Sequence, residues 1–243
     1  MRIVLDCPTC VGALQRPFSV SLRPKNDCVY EIECPNGHRF CANVLYHEFQ
    51  KLFEVGVNAL ADDYLRESVG SFAASYERSL ELFIRVLLRA QKVDEKVIAG
   101  TWKKISKQSE RQLGAFAVLY TMQFNVLPPL LSEIRVQLRN KVIHQGYFPT
   151  RQECLDYGKD VLEAIRSVIQ RLHASEPHRS SLTGAINDQV DSTSGPRYHY
   201  YAWPLILTNS SPEMDTKTLE QMLHESESQR TARHSSHSLP AGV

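Results

Sequence analysis

The 243-residue sequence predicts a mainly α fold: a helical bundle with a small β module at the amino-terminus and an irregular carboxy-terminal tail. Three observations carry that prediction. Five of the six cysteines lie in the first 41 residues, among prolines and short β-type runs. Residues 45–174 place apolar side chains at i, i+3 and i+4 with few helix breakers. Residues 175–243 are rich in Ser, Thr, His and Pro with little periodic apolar content, the composition of a largely disordered segment. The domain boundaries fall accordingly at 1–44, 45–174 and 175–243.

In the first region the runs FSVSL, CVYEIE and HRFCANVLY read as strands. Cys7-Pro-Thr-Cys10 has the two-residue spacing of a metal knuckle, and Cys34-Pro-Asn-Gly-His38 supplies a second half. Gly37 tolerates positive φ and lets a tight turn bring backbone close to an ion. The two halves are far enough apart in sequence for a hairpin between them. Three thiolates and one imidazole make a tetrahedral set that suits Zn²⁺ and leaves no open coordination position, so the ion is structural. A module this small buries little core, and the metal supplies the missing folding free energy. The pattern resembles a zinc ribbon with His38 as fourth ligand. Cys28 and Cys41 remain alternatives to His38, and all these cysteines could instead be buried small hydrophobes.

The middle region reads as about six helices. LYHEFQKLFEVGVNALADDY and LRESVGSFAASYERSLELFIRVLLRAQ are amphipathic, with Leu80, Phe83, Ile84, Leu87 and Leu88 forming one stripe. Asp94 caps a helix running to Ser106. RQLGAFAVLYTMQFN follows, and Pro128-Pro129 separates it from LLSEIRVQLRNKVIHQ. Thr150 and Glu153 form a capping-box pattern ahead of RQECLDYGKDVLEAIRSVIQRLHAS. Cys154 sits alone on that helix as packing. In the tail, TLEQMLHES reads as a short helix and YHYYAWPLIL, 198–207, as a docking segment. His224, His234 and His237 lack ligand spacing.

Charge excludes some classes of function. Lys and Arg total 28 against 27 Asp and Glu, so no global basic field draws this chain to nucleic acid; such contact must come from a local patch. No stretch of 18 apolar residues is present, so no membrane partner is expected. MRIVLDCPTC lacks a signal-peptide hydrophobic region, which predicts a cytoplasmic protein. Glycine-rich phosphate loops and G-x-S-x-G elbows are missing from the sequence.

The stretch LRNKVIHQGYFPT carries the chemistry. Histidine titrates closest to neutrality, so His144 can take a proton from a ribose 2′-hydroxyl or give one to a leaving oxygen. Arg139 can hold a phosphate through two parallel hydrogen bonds and stabilise charge on pentacoordinate phosphorus. Asn140 can orient the imidazole or a phosphate oxygen. These groups suffice for metal-independent cleavage of RNA, while DNA lacks the attacking hydroxyl. Asn140 and His144, four apart, share a helix face. Arg139 and His144 are five apart, about 140° on a regular helix, and are expected not to converge unless the helix loosens near Gly146 or a second copy completes the site. That angle favours a homodimer. Glu77 and Glu81 share a face of an earlier helix and are accessory candidates, either to pair with Arg139 or to orient His144; the plainer reading is a solvated charged face. Lys141 and Arg135 are further phosphate-contact candidates, and Tyr147 and Phe148 could stack on a base.

Arg139-Asn140-Lys141-Val142-Ile143-His144, late in an all-α bundle, resembles the Arg-x4-His motif of the HEPN superfamily, and the resemblance covers about residues 45–174. It implies a bundle that dimerises through the motif region and, in many members, a metal-independent endoribonuclease acting in toxin–antitoxin or antiphage systems, with an antitoxin or defence-system protein as partner. Other members are inactive RNA- or protein-binding modules, and that is the alternative reading of this chain. Arg139, Asn140 and His144 are all present, so nothing in the motif signals inactivation.

Overall fold

The computed structural model describes residues 2–10, 18–23, 25–191, 198–201 and 216–236. Strands β1 (Arg2–Leu5) and β2 (Phe18–Ser21) pair antiparallel, and β3 (Val29–Glu33) pairs antiparallel with β4 (Arg39–Leu45). The three β-type runs account for β2, β3 and β4; RIVL adds β1. Among the described residues eight helices follow: α1 (Glu48–Ala61), α2 (Leu65–Ala90), α3 (Glu95–Ile105), α4 (Ser109–Phe124), α5 (Glu133–His144), α6 (Arg151–His173), α7 (Glu176–Asp191) and α8 (Leu219–Ser236). The fold is mainly helical with a small β module.

α2 is the axis of the bundle. Its apolar stripe, Phe72, Tyr76, Leu80, Phe83 and Leu87, is buried on every turn, with α1, α4, α5, α6 and α7 around it. Phe83 packs against Phe116, Tyr120 and Phe124 of α4 at centroid distances of 5.0–6.1 Å. Two of the three buried serines on α2 are satisfied by α1 carbonyls, Ser68 donating to Gly56 (3.0 Å) and Ser75 to Phe49 (2.7 Å), and Ser79 donates to the Tyr76 carbonyl of α2 itself, so all three enter the core without loss of hydrogen bonding. The local helix signals hold. Asp94 accepts from the Lys96 N–H at 2.8 Å, and Thr150 and Glu153 form the reciprocal capping box ahead of α6. α5 starts later than Pro128-Pro129, after Ser132, so the prolines belong to the connection.

The carboxy-terminal region departs from the expectation of a largely disordered, irregular tail. Residues 176–191 form α7, and the 198–207 docking segment supplies β5 (Tyr198–Tyr201), which adds to β4 in parallel. Residues 202–207 of that segment lie outside the described residues. TLEQMLHES belongs to α8, which buries Leu219, Met222 and Leu223 against α1 and α6. Ion pairs seat it: Lys159 with Glu220, and Arg151 with Glu227 at 2.9 Å. Three apolar residues on one helix face are enough for docking when a bundle offers a matching groove, although they are too few to register as periodicity. His224 is exposed; the side chains of His234 and His237 lie outside the described part. Among the described residues no helix is long and apolar enough to cross a membrane.

Candidate functional sites: a Cys3His cluster and an Arg–His cluster

Two backbone knuckles build the first site. The Cys10 N–H returns to the Cys7 carbonyl (3.0 Å) and the Gly37 N–H to the Cys34 carbonyl (2.9 Å), with Gly37 at φ +80°. The β3–β4 hairpin then sets Cys34 and His38 facing Cys7 and Cys10. The four donor atoms all lie within 4.8 Å of one another. Cys10 Sγ is 3.9 Å from Cys34 Sγ, and His38 Nδ1 is 3.8, 3.1 and 3.6 Å from the sulfurs of Cys7, Cys10 and Cys34. A tetrahedron with bonds near 2.3 Å has edges of about 3.8 Å, so the spacing fits a single small metal ion. Asn36 donates to Cys10 Sγ at 3.4 Å and orients it.

The alternatives to His38 lie elsewhere. Cys28 Sγ accepts from the buried Lys51 ammonium at 3.4 Å, under the junction of β3 with α1. Cys41 pairs opposite Glu31 in the β3–β4 ladder and is outside the cluster. Cys154 is buried, donates to the Leu65 carbonyl, and burial pushes its thiol up to about 12, which suits packing and not nucleophilic chemistry.

The second site is on α5. Only Leu138 and Val142 of this helix are buried, one turn apart, so the rest of its surface faces outward. Arg135 anchors it to α6 through Asp160 at 2.6 Å. The helix closes at Gly146, whose φ of +72° suits glycine, and the Tyr147 N–H returns to the Lys141 carbonyl. Arg139 and His144 converge within one chain: Arg139 Nη1 lies 3.2 Å from His144 Nε2 and donates to Asn140 Oδ1 at 3.0 Å. This corrects the angular expectation that they stay apart. The Cα directions do diverge, but the long arginine side chain crosses the turn and meets an imidazole on the last helical residue. A second copy is therefore not required to bring the pair together.

Glu77 completes the cluster from α2. Its Oε1 accepts from Arg139 Nη2 at 3.0 Å, with the Arg139 and Glu77 side chains 23% and 29% exposed. Glu81 does not reach the cluster; it pairs with Arg78 and Arg85. Lys141 is exposed and forms no hydrogen bond with Arg139 or His144; its charge helps hold the Glu153 carboxyl below its ordinary range, behind the Thr150 backbone hydrogen bond. Tyr147 donates to Glu153 at 3.2 Å, and Phe148 is exposed.

Two contributors had no motif to announce them. Arg66, on the first turn of α2, donates to the Val142 carbonyl at 3.0 Å and lies over the Phe148 ring at 5.1 Å. It satisfies one of the orphan carbonyls at the end of α5 and steadies the residues around His144. Tyr157, buried on α6, sits close enough for the charges of Arg139 and Glu77 to act on its phenol, which burial raises above its ordinary value. The result is a half-buried guanidinium gripped on one side by a carboxylate and presenting an exposed imidazole on the other. No family model matches this chain, and no curated protein or solved structure matches it either.

Proposed function

We propose that the chain is a metal-independent endoribonuclease of HEPN type, carrying a structural zinc in the Cys7, Cys10, Cys34 and His38 cluster. The observation that carries the reading is the 3.2 Å approach of Arg139 to His144 beside Asn140 and Glu77. An exposed imidazole next to a fixed cation is what transfer of a proton at a phosphodiester requires.

His144 takes the proton of a 2′-hydroxyl as that oxygen attacks the neighbouring phosphorus. The bond to the 5′-oxygen breaks, that oxygen is protonated, and a 2′,3′-cyclic phosphate and a 5′-hydroxyl remain. Arg139 stabilises the negative charge that builds on phosphorus; Asn140 and Glu77 hold its guanidinium in place. None of these roles uses the zinc, whose four ligands are all protein atoms and whose contribution is to hold the β module folded.

The chain would act as a homodimer paired around α5. The support is the number of large apolar side chains left exposed on and around α5: Leu127 in the connection before it at 89% exposure, Ile134 and Ile143 on the helix, and Phe148 after it. Exposed apolar side chains gathered on one segment of a folded protein suit an interaction surface. The dimer would set two Arg139–His144 pairs near one another, giving one histidine for each proton transfer.

The test is RNA cleavage by purified protein in EDTA, wild type beside His144→Ala and Arg139→Ala. Cleavage by wild type and its loss in both variants is expected; full cleavage by His144→Ala removes the assignment.

A further inference from the structure

The near-zero net charge of the chain conceals a local concentration. Residues 89–111 hold seven basic and three acidic residues, whereas the rest of the chain holds 21 against 24 and is net acidic. This segment is α3 with its two flanking turns. Arg89 is paired with Glu95 at 2.6 Å. Lys92, Lys96, Lys103, Lys104 and Lys107 are exposed, and none has an ion-pair partner among the described residues. Arg111, also exposed, donates to the Lys104 carbonyl and so faces the same turn.

Helix stabilisation accounts for part of this pattern only. Lys103 and Lys104 lie in the last turn of α3, where the macrodipole favours cations. Lys92 and Lys96 flank its amino-terminal end, where the dipole opposes them, and Lys107 lies beyond the helix. Positive charge at both ends of an 11-residue helix about 16 Å long suits an extended polyanion.

α2 connects this face to the Arg–His cluster. Glu77, which holds Arg139, begins a ladder of charges that continues through Glu81 and Arg85, one turn apart. Arg85 in turn lies over the ring of Trp102, the residue before Lys103, at 5.5 Å. Eight residues separate Glu77 from Arg85, a rise of about 12 Å along the helix. The lysines therefore stand further along α2 from the Glu77–Arg139 pair that borders His144, on a path one extended strand can follow.

We propose that Lys92, Lys96, Lys103, Lys104, Lys107 and Arg111 form a binding surface for the phosphate backbone of single-stranded RNA and lead the strand to the Arg139–His144 cluster. The strand is RNA because the proposed ribonuclease chemistry, on which this inference rests, needs a 2′-hydroxyl. It is single-stranded because a backbone free of duplex constraint can turn that oxygen in line with the scissile bond. Contacts of this type are electrostatic and independent of sequence, so the surface supplies affinity and direction, and cleavage preference arises at the cluster.

The full chain and its Lys103→Glu/Lys104→Glu/Lys107→Glu variant test this by fluorescence anisotropy with a labelled single-stranded RNA of about 20 nucleotides, over roughly 50–200 mM salt. The variant should bind at least tenfold more weakly at the low-salt end, and its log–log salt slope should be shallower by about 2, the value for three lost phosphate contacts on a single strand. A tetranucleotide, too short to span the surface, should be cleaved equally by both proteins. Unchanged affinity and slope in the variant overturn the proposal, as does loss of tetranucleotide cleavage. Failure of the wild type to bind RNA while binding phosphatidylserine vesicles also overturns it. Salt-dependent binding lost in the variant, from a wild type that cuts nothing, upholds the surface and sinks the ribonuclease reading instead. Wild-type cleavage with an unaffected variant does the reverse.

Discussion

Adding one methyl group at selected glycines tests the packing of the bundle that carries the Arg–His cluster. A Cβ at Gly158 of α6 would lie 2.7 Å from the Phe72 ring and 2.8 Å from Leu219 Cδ2, and one at Gly56 of α1 would lie 2.6 Å from the same ring. Phe72 is fully buried and packs on Phe53 in a tilted arrangement with ring centroids 4.9 Å apart, so it has little room to withdraw. Gly100 of α3 and Gly114 of α4 are also helical, and a Cβ at either meets nothing within 4 Å. Gly→Ala at an open helical site gains about 1 kcal/mol from backbone entropy. Overpacking of a rigid core costs about 1–3 kcal/mol. Gly158→Ala should therefore be less stable than Gly100→Ala by about 2 kcal/mol, or about 4–8 °C in melting temperature for a chain of this size. Thermal melts and denaturant titrations of the four single variants measure this directly. Leu219→Ala combined with Gly158→Ala should cost less than the two single effects together, because the shorter side chain makes space for the methyl. A Gly158→Ala protein as stable as Gly114→Ala, or strict additivity with Leu219→Ala, would refute the close approach of α2, α6 and α8.

Three other outcomes follow from the buried histidine, the cysteine cluster and the exposed apolar side chains around α5. His47 precedes α1, is buried against Phe49, and burial holds its imidazole down to about 4. The unfolded chain takes up that proton near pH 6.5, so the contribution to stability is complete above that pH and declines as pH falls towards 4, by up to about 3 kcal/mol. His47→Gln should flatten that part of a stability-versus-pH curve, and an unchanged curve would count against it. Protein produced in zinc-supplemented medium should carry one zinc per chain and Cys34→Ser none, with the far-UV helical signal retained because the ligands lie outside the bundle; retention of zinc by Cys34→Ser contradicts the ligand set. Sedimentation should show a dimer that Leu127→Asp converts to monomer, and a wild-type monomer at all concentrations removes the pairing around α5.

Local signals were readable from sequence and long-range ones were not. The Thr150–Glu153 box and the Asp94 cap are interactions within three residues, so the chain states them directly. Each cysteine knuckle is likewise local, and spacing pointed to Cys7, Cys10, Cys34 and His38, but only the fold of the β3–β4 hairpin sets Cys28 and Cys41 aside from the cluster. The choice of Glu77 over Glu81 as the partner of Arg139 depends on how α2 and α5 pack across 62 residues, and no pattern along either helix contains it. Arg66 was hidden for the same reason: its acceptor is a backbone carbonyl 76 residues away. The meeting of Arg139 with His144 failed a prediction from helix angles because those angles describe Cα directions and not the reach of a long side chain. TLEQMLHES was legible as a helix, whereas α7 was hidden in a segment of disordered composition because the surfaces it packs on belong to α2 and α6.

The ends of the RNA products test the central claim most directly. RNA incubated with wild-type protein in EDTA should yield 2′,3′-cyclic phosphate and 5′-hydroxyl ends, His144→Ala should yield neither, and a substrate with a 2′-deoxy sugar at the scissile position should stay intact. Products with 5′-phosphate ends, cleavage of the 2′-deoxy substrate, or equal cleavage by His144→Ala would contradict the account.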